Sequence, residues 1–219
     1  MINKYIDHTL LKATATTSEI LKLCAEAKTY NFMSVCINPV FVSLAKEALK
    51  GTNVLVCTVI GFPLGANTTT QKCHEAKEAL KAGADELDMV INIGKAKEHD
   101  YEYITNEIRE IKKIAKNNIL KVILETCYLT NDEKLALFDC CIKANANFVK
   151  TSTGFGSSGA TIEDIDLMKK YLPSTMQIKA SGGIRTYEDA LLFIKHGASR
   201  IGTSGGVAIM NHDINKGGY

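Results

Sequence analysis

The sequence predicts an α/β protein built as a single (β/α)8 TIM barrel. Eight short apolar runs rich in β-branched residues recur at a mean spacing of about 28 residues, the length of one βα unit. Between them lie segments of helical period that open on helix-start signals. The runs themselves, such as Val54-Leu55-Val56-Cys57-Thr58-Val59-Ile60, are apolar at both parities, as parallel strands covered on both faces must be. A doubly wound open sheet shares this periodicity, but no Gly-x-Gly-x-x-Gly follows the first strand, where a dinucleotide fold would carry it. No linker or shift of composition divides the chain. Residues 1–219 therefore read as one TIM-barrel domain, with 210–219 as a flexible C-terminal tail.

In chain order the expected strands are 4–6, 34–37, 54–60, 86–91, 121–125, 148–152, 177–180 and 200–202. Gly83 sits where the helix before the fourth strand should end. Tyr101, Ile104, Ile108, Ile111 and Ile114 stripe the longest helix, and Lys112, Lys113 and Lys116 fall on its other, solvated side. Thr130 and Glu133 form a capping box before Leu135, Phe138 and Ile142. Thr161 with Asp164 and Thr186 with Asp189 repeat that opening, and Gly197 ends the last of these helices.

Composition removes several classes of function. Twenty-six basic against twenty-four acidic residues give a net charge of +2, and no block of like charge is present. Neither nucleic acid nor a membrane surface is an expected partner. The longest uncharged stretch, 51–71, is broken by Asn53, Pro63 and glycines, so it reads as strand and loop. The first residues lack the apolar core of a signal peptide, and the seven cysteines contain no Cys-x-x-Cys pair. A reduced, cytoplasmic chain is expected. The five histidines show no ligand spacing, so no metal is expected. Cys36, within a strand, and Cys127, just beyond one, read as buried inert thiols, with a reactive thiol as the lesser alternative.

Ionisable side chains inside barrel strands carry the functional signal, because working residues stand at the strands' C-terminal ends. Asp7, Asp88, Lys150 and Lys179 qualify, with Glu125 a weaker fifth. Lys150 in Phe148-Val149-Lys150-Thr151-Ser152 and Lys179 in Gln177-Ile178-Lys179-Ala180-Ser181 occupy analogous places one unit apart. Two lysines facing one mouth would lower the pKa of at least one, and a neutral amine is the nucleophile for a Schiff base. Asp88 could pair with the lysine that stays charged and relay protons. Gly182-Gly183, Gly202-Thr203-Ser204-Gly205 and the 154–159 glycines follow three successive strands, where barrels often build phosphate sites from backbone N–H groups.

The strings IDHTLL (6–11), GFPLGANTTTQK (61–72), GADELDMVINIG (83–94), KVILETC (121–127), FVKTSTGFGSSGAT (148–161), IKASGGIRT (178–186) and RIGTSGGVAI (200–209) closely resemble the deoxyribose-phosphate aldolase family over nearly the whole chain. The resemblance implies a class I aldolase that needs neither metal nor cofactor. Its substrate would be 2-deoxy-D-ribose 5-phosphate, cleaved reversibly to D-glyceraldehyde 3-phosphate and acetaldehyde in deoxynucleoside catabolism. It implies Lys150 as the Schiff-base nucleophile, Lys179 as its partner, Asp88 as proton donor and acceptor, and Asp7 as a supporting carboxylate. Gly154, Gly183, Ser204 and Gly205 correspond to the phosphate-binding turns. At 205 many relatives carry a second serine, and Asn145-Ala146-Asn147 replaces the usual Gly-Ala-Asp. Two expectations stay open: a homo-oligomer of two or four copies, and a role at the site's mouth for Tyr219.

Overall fold

The computed structural model of the chain describes residues 2–215. Eight parallel strands close into a barrel in sequential order: β1(Ile6–Leu10), β2(Ser34–Ile37), β3(Leu55–Ile60), β4(Glu86–Val90), β5(Ile119–Ile123), β6(Phe148–Lys150), β7(Gln177–Ser181) and β8(Arg200–Thr203). Around them run α1(Thr17–Tyr30), α2(Val42–Ala48), α3(Thr69–Lys81), α4(Ile93–Lys97), α5(Tyr101–Ala115), α6(Asn131–Lys143), α7(Ile162–Tyr171), α8(Tyr187–His196) and α9(Gly206–Met210). The protein is a (β/α)8 TIM barrel, and no described helix is long and apolar enough to cross a membrane.

Strand parity divides the molecule in two. Val35, Val56, Leu87, Met89, Leu120, Val122, Val149, Ile178 and Ile201 belong to the main apolar core that the strands share with the helices. The residues of opposite parity fill the lumen. A small apolar cluster of Leu11, Cys36, Cys57 and Val59, with Phe62 against it, stands apart from that core, and Val90, Ile123 and Phe148 are further buried apolar residues of lumen parity. Among them the lumen carries charged side chains where a barrel ordinarily stacks layers of branched aliphatics.

The expected caps form. Thr130 with Glu133 and Thr186 with Asp189 make reciprocal capping boxes, and the Thr161 side chain accepts from the Asp164 N–H. Asn145 takes the left-handed conformation, with φ 56°. Three local readings change. Residues Ile2–Tyr5 form a 3-10 turn and β1 starts only at Ile6, because its polar run Asp7-His8-Thr9 is wholly buried and defeats a hydrophobicity reading. Strand β5 stops at Ile123, and Glu125 lies beyond it at φ 57°. Lys112 is half-buried, donating to Asn147 Oδ1 at 2.7 Å, so only part of the lysine face of α5 is free in solvent. Beyond α9 the chain turns back, with Asp213 N–H donating to Ala208 O and Asn215 N–H to Arg185 O. Tyr219 lies outside the described residues.

The loop after β3 is pinned to the end of β4. At Gly65, φ is +66° and a Cβ would stand 1.8 Å from the Ile91 carbonyl oxygen, so no side chain fits. Beneath this loop Lys72 and Glu107, both fully buried, pair at 2.8 Å, and Lys72 also donates to Val90 O. Burial lowers the pKa of Lys72 and raises that of Glu107, so desolvation outweighs their mutual attraction. Lys72→Met is expected to cost about 3–5 kcal/mol by leaving the Glu107 carboxylate buried without its cation. Urea unfolding checks this; a loss below about 1 kcal/mol, or a Lys72→Met/Glu107→Leu protein no more stable than the single variant, would count against it.

Candidate active site

Six neighbouring strands, β4 to β8 and β1, deliver the charged side chains. Glu86 and Asp88, two residues apart on β4, both turn inward, and Asp88 is in register with Lys121 of β5. Lys150 on β6 is in register with Lys179 on β7, and Lys179 with Arg200 on β8. Asp7 closes the circle from β1, in register with Gly202 of β8. None of these side chains is exposed beyond a few per cent.

Asp88 is the hub. Its Oδ2 accepts from Lys150 Nζ at 2.8 Å and from Lys179 Nζ at 2.7 Å, and its Oδ1 accepts from Lys121 Nζ at 2.8 Å and the Cys57 thiol at 3.1 Å. Lys121 also donates to Glu86 Oε2 at 2.6 Å. Arg200 spans the far side, donating through Nε to Asp7 Oδ1 at 2.6 Å, through Nη1 and Nη2 to Glu86, and through Nη2 to Ser34. Lys179 Nζ stands 2.6 Å from Asp7 Oδ2, close enough for an ion pair although out of line for a hydrogen bond.

This network sets the charge states. Burial alone would raise the carboxyl pKa of Asp88, but Lys121, Lys150 and Lys179 hold it well below the usual carboxylate range. Asp7 is lowered in the same way, by Arg200 and then Lys179 against burial. For Lys179, burial disfavours the cation, yet Asp7 and Asp88 outweigh it and push the pKa well above that of a free lysine. Lys121 likewise stays cationic against its burial, through Asp88 and then Glu86. The expectation that paired lysines depress each other thus fails for Lys179, because two carboxylates stand closer to its charge than the sequence revealed.

Lys150 is the last residue of β6 and opens toward Thr151, Ser152 and Thr153. Behind them the Glu125 carboxylate, its pKa raised by burial, accepts from the Thr153 N–H and hydroxyl. Glu125 therefore supports the turn and does not join the amines. The three glycine turns lie side by side. Gly154 abuts Gly182, and the Thr203 hydroxyl donates to Ile184 O at 3.0 Å. Gly183 has φ +79° and open space on its side-chain face. Ser204 and Gly205 are less free than expected. The Ser204 hydroxyl accepts from Asn215 Nδ2 at 3.2 Å, the Gly205 N–H already donates to Thr203 Oγ1, and a Cβ on Gly205 would stand 2.5 Å from Asn215 Cβ. Residues 202–206 also match the Gly-x-Ser-x-Gly spacing of a nucleophile elbow. That spacing carries no catalytic dyad here, since the histidine in register, His8 opposite Thr203, turns outward to Glu26.

The lumen brings together Lys150, Lys179, Asp88 and Asp7, and adds Lys121, Glu86 and Arg200, which the sequence reading passed over. Their signal was present. Glu86 shares parity with Asp88, and all three open or nearly open their strands, where an ionisable residue reads as a solvated end. The sulfurs of Cys36 and Cys57 with an Asp88 oxygen form a possible metal-donor set within 4.8 Å, but both Asp88 oxygens are already engaged by amines.

A family model described as DeoC/LacD family aldolase matches residues 1–212. Among curated proteins, the deoxyribose-phosphate aldolase of Streptococcus sanguinis is 54% identical over 218 residues, covering 100% of this chain and 99% of its own. That of Treponema denticola is 57% identical over 213 residues, covering 95% and 98%. Among solved structures, the tetrameric deoxyribose phosphate aldolase of Aeropyrum pernix superposes with a TM-score of 0.90 at 35% identity, covering 96% of this chain and 89% of that one.

Proposed function

The chain belongs to the DeoC/LacD aldolase family, and from that premise we propose that it cleaves 2-deoxy-D-ribose 5-phosphate reversibly to D-glyceraldehyde 3-phosphate and acetaldehyde through a Schiff base on Lys150. One observation carries the assignment of the nucleophile. The lumen holds four cationic side chains against three carboxylates, so loss of one proton leaves it balanced. Lys121, Lys179 and Arg200 each contact two carboxylates, whereas Lys150 contacts only Asp88. Lys150 is the amine that gives up the proton, and it stands at the strand end where substrate arrives.

The neutral amine adds to the aldehyde of the open-chain sugar and expels water, leaving an iminium. Its positive charge then replaces that of the lost proton beside Asp88 Oδ2. As the carbon–carbon bond breaks, its electron pair passes into the iminium to give an enamine, and the adjacent hydroxyl releases its proton to become the aldehyde of the departing triose phosphate. Asp88, with the Lys179 ammonium on the same oxygen, is placed to receive that proton and return it to the enamine carbon; hydrolysis then frees acetaldehyde. The turns at Gly154, Gly183 and Ser204 would hold the phosphate end, so binding energy remote from the reacting bond orients it. Gly205 would join them only after its N–H leaves Thr203.

This reading places the enzyme in deoxynucleoside catabolism, in the cytoplasm, and a tetramer like that reported for the A. pernix relative is a compatible assembly. The test is borohydride reduction in the presence of acetaldehyde, followed by peptide mass mapping. An ethyl group is expected on the peptide carrying Lys150; labelling of Lys121 or Lys179 instead, or of none, would overturn the assignment. Release of glyceraldehyde 3-phosphate from deoxyribose 5-phosphate, read by a coupled assay, tests the substrate.

A further inference from the structure

The lumen also contains two thiols that the proposed reaction leaves idle. Cys36 of β2 and Cys57 of β3 are register partners on adjacent parallel strands, and both are fully buried. Their sulfurs and an Asp88 oxygen lie within 4.8 Å of one another. Cys57 donates to Asp88 Oδ1, and Lys121 Nζ lies 3.4 Å from its sulfur. From this arrangement we infer that Cys36 and Cys57 are a peroxide-sensitive thiol pair, whose oxidation to a disulfide reversibly disables the aldolase site. The inference rests on the proposed role of Asp88 for its consequence, though not for its chemistry.

The two sulfurs are not equivalent. The adjoining Cys57 thiol, then the charge of Lys179, lower the pKa of the Cys36 thiol against its burial. Burial, the adjoining Cys36 and the Asp88 charge hold Cys57 protonated. Cys24, Cys73, Cys140 and Cys141 are all pushed upward, chiefly by burial.

The co-reactant is a small uncharged hydroperoxide, with hydrogen peroxide the simplest. The Cys36 thiolate attacks one oxygen, the O–O bond breaks, and the departing hydroxide takes up a proton as water. Cys36 is then a sulfenic acid. Cys57, whose proton already points at Asp88, displaces the sulfenic hydroxyl; the S–S bond forms and a second water leaves with that proton. Two thiols and one peroxide thus give one disulfide and two waters. Adjacent strands stand about 4.8 Å apart, inside the Cα range that disulfides tolerate, and the two sulfurs already lie within 4.8 Å of one another. Closure draws the Cys57 sulfur toward β2 and strips a donor from Asp88 Oδ1. A peroxide is smaller than the acetaldehyde that Lys150 must already admit.

Reduced protein should be incubated with hydrogen peroxide, alkylated, and mapped by mass without reductant, with turnover assayed before treatment, after it, and after dithiothreitol. The expected result is a cross-linked Cys36–Cys57 peptide that grows in step with a fall in kcat of about tenfold or more, both reversed by dithiothreitol. Cys57→Ala, compared with its own untreated sample, should form no cross-link, and its Cys36 should stop at the sulfenic acid, read as a dimedone adduct. The inference is overturned if both cysteines remain alkylatable while activity falls, or if the cross-link forms at full activity. Untreated turnover tests the aldolase reading separately. If deoxyribose 5-phosphate is not cleaved, acetaldehyde trapping on Lys150 replaces kcat as the readout.

Discussion

Lys150→Ala is expected to remove catalysis while leaving the fold intact. Loss of a covalent nucleophile in other enzymes lowers kcat by about 10⁴-fold or more, and the same scale is expected here in the glyceraldehyde 3-phosphate assay. Stability should change little or rise. The substitution takes one cation from a lumen that holds four against three carboxylates, and Asp88 keeps both Lys121 and Lys179. Lys179→Ala should behave differently. It leaves Asp7 with Arg200 alone and Asp88 without its link to Asp7, so both turnover and the melting temperature should fall. Lys150→Arg should not rescue, because a guanidinium stays charged and cannot add to a carbonyl. A Lys150→Ala enzyme retaining more than a tenth of wild-type kcat would exclude this lysine as the nucleophile.

What was legible in the sequence follows from period and parity. The eight strands announced themselves where both faces are apolar, as in β3, or where a lysine interrupts an apolar run, as in β5, β6 and β7. They blurred where the lumen face is polar, so β1, with Asp7, His8 and Thr9 in five residues, was placed a few residues early. Lys150, Lys179 and Asp88 were legible because an ionisable residue within a strand needs a reason. Lys121, Glu86 and Arg200 were not, because at a strand's start the same residue types are ordinarily solvated. Only barrel closure, which sets β8 beside β1, shows that Arg200 reaches both Asp7 and Glu86. The raised pKa of Lys179 was illegible for the same reason, since it depends on Asp7 arriving from the other end of the chain.

That closure makes Arg200 a residue whose loss should cost much stability. Arg200→Met removes the donors to Asp7 Oδ1, Glu86 and Ser34 from a site with almost no access to water, and truncating one partner of such a buried network costs about 3–5 kcal/mol. The pH dependence should change as well. Against burial, Arg200 is the largest influence lowering the Asp7 pKa, followed by Lys179 and Lys121. A carboxyl whose folded pKa is depressed contributes stability above its unfolded value, about 3.9, and loses it as pH falls through the folded value. The wild-type barrel should therefore hold its Asp7 contribution into strong acid, and the variant should lose it nearer the ordinary carboxylate range. The alkaline limb should move less. Lys179, with its folded pKa raised, stabilises below its unfolded value of about 10.4 and loses that contribution only as pH rises through the folded value, and its carboxylate partners Asp7 and Asp88 remain. Urea titrations read by circular dichroism from neutral to acid pH would measure both effects. A fall in stability at pH 7 with an unmoved acid midpoint would mean that Arg200 fills space in the lumen without holding the charge of Asp7.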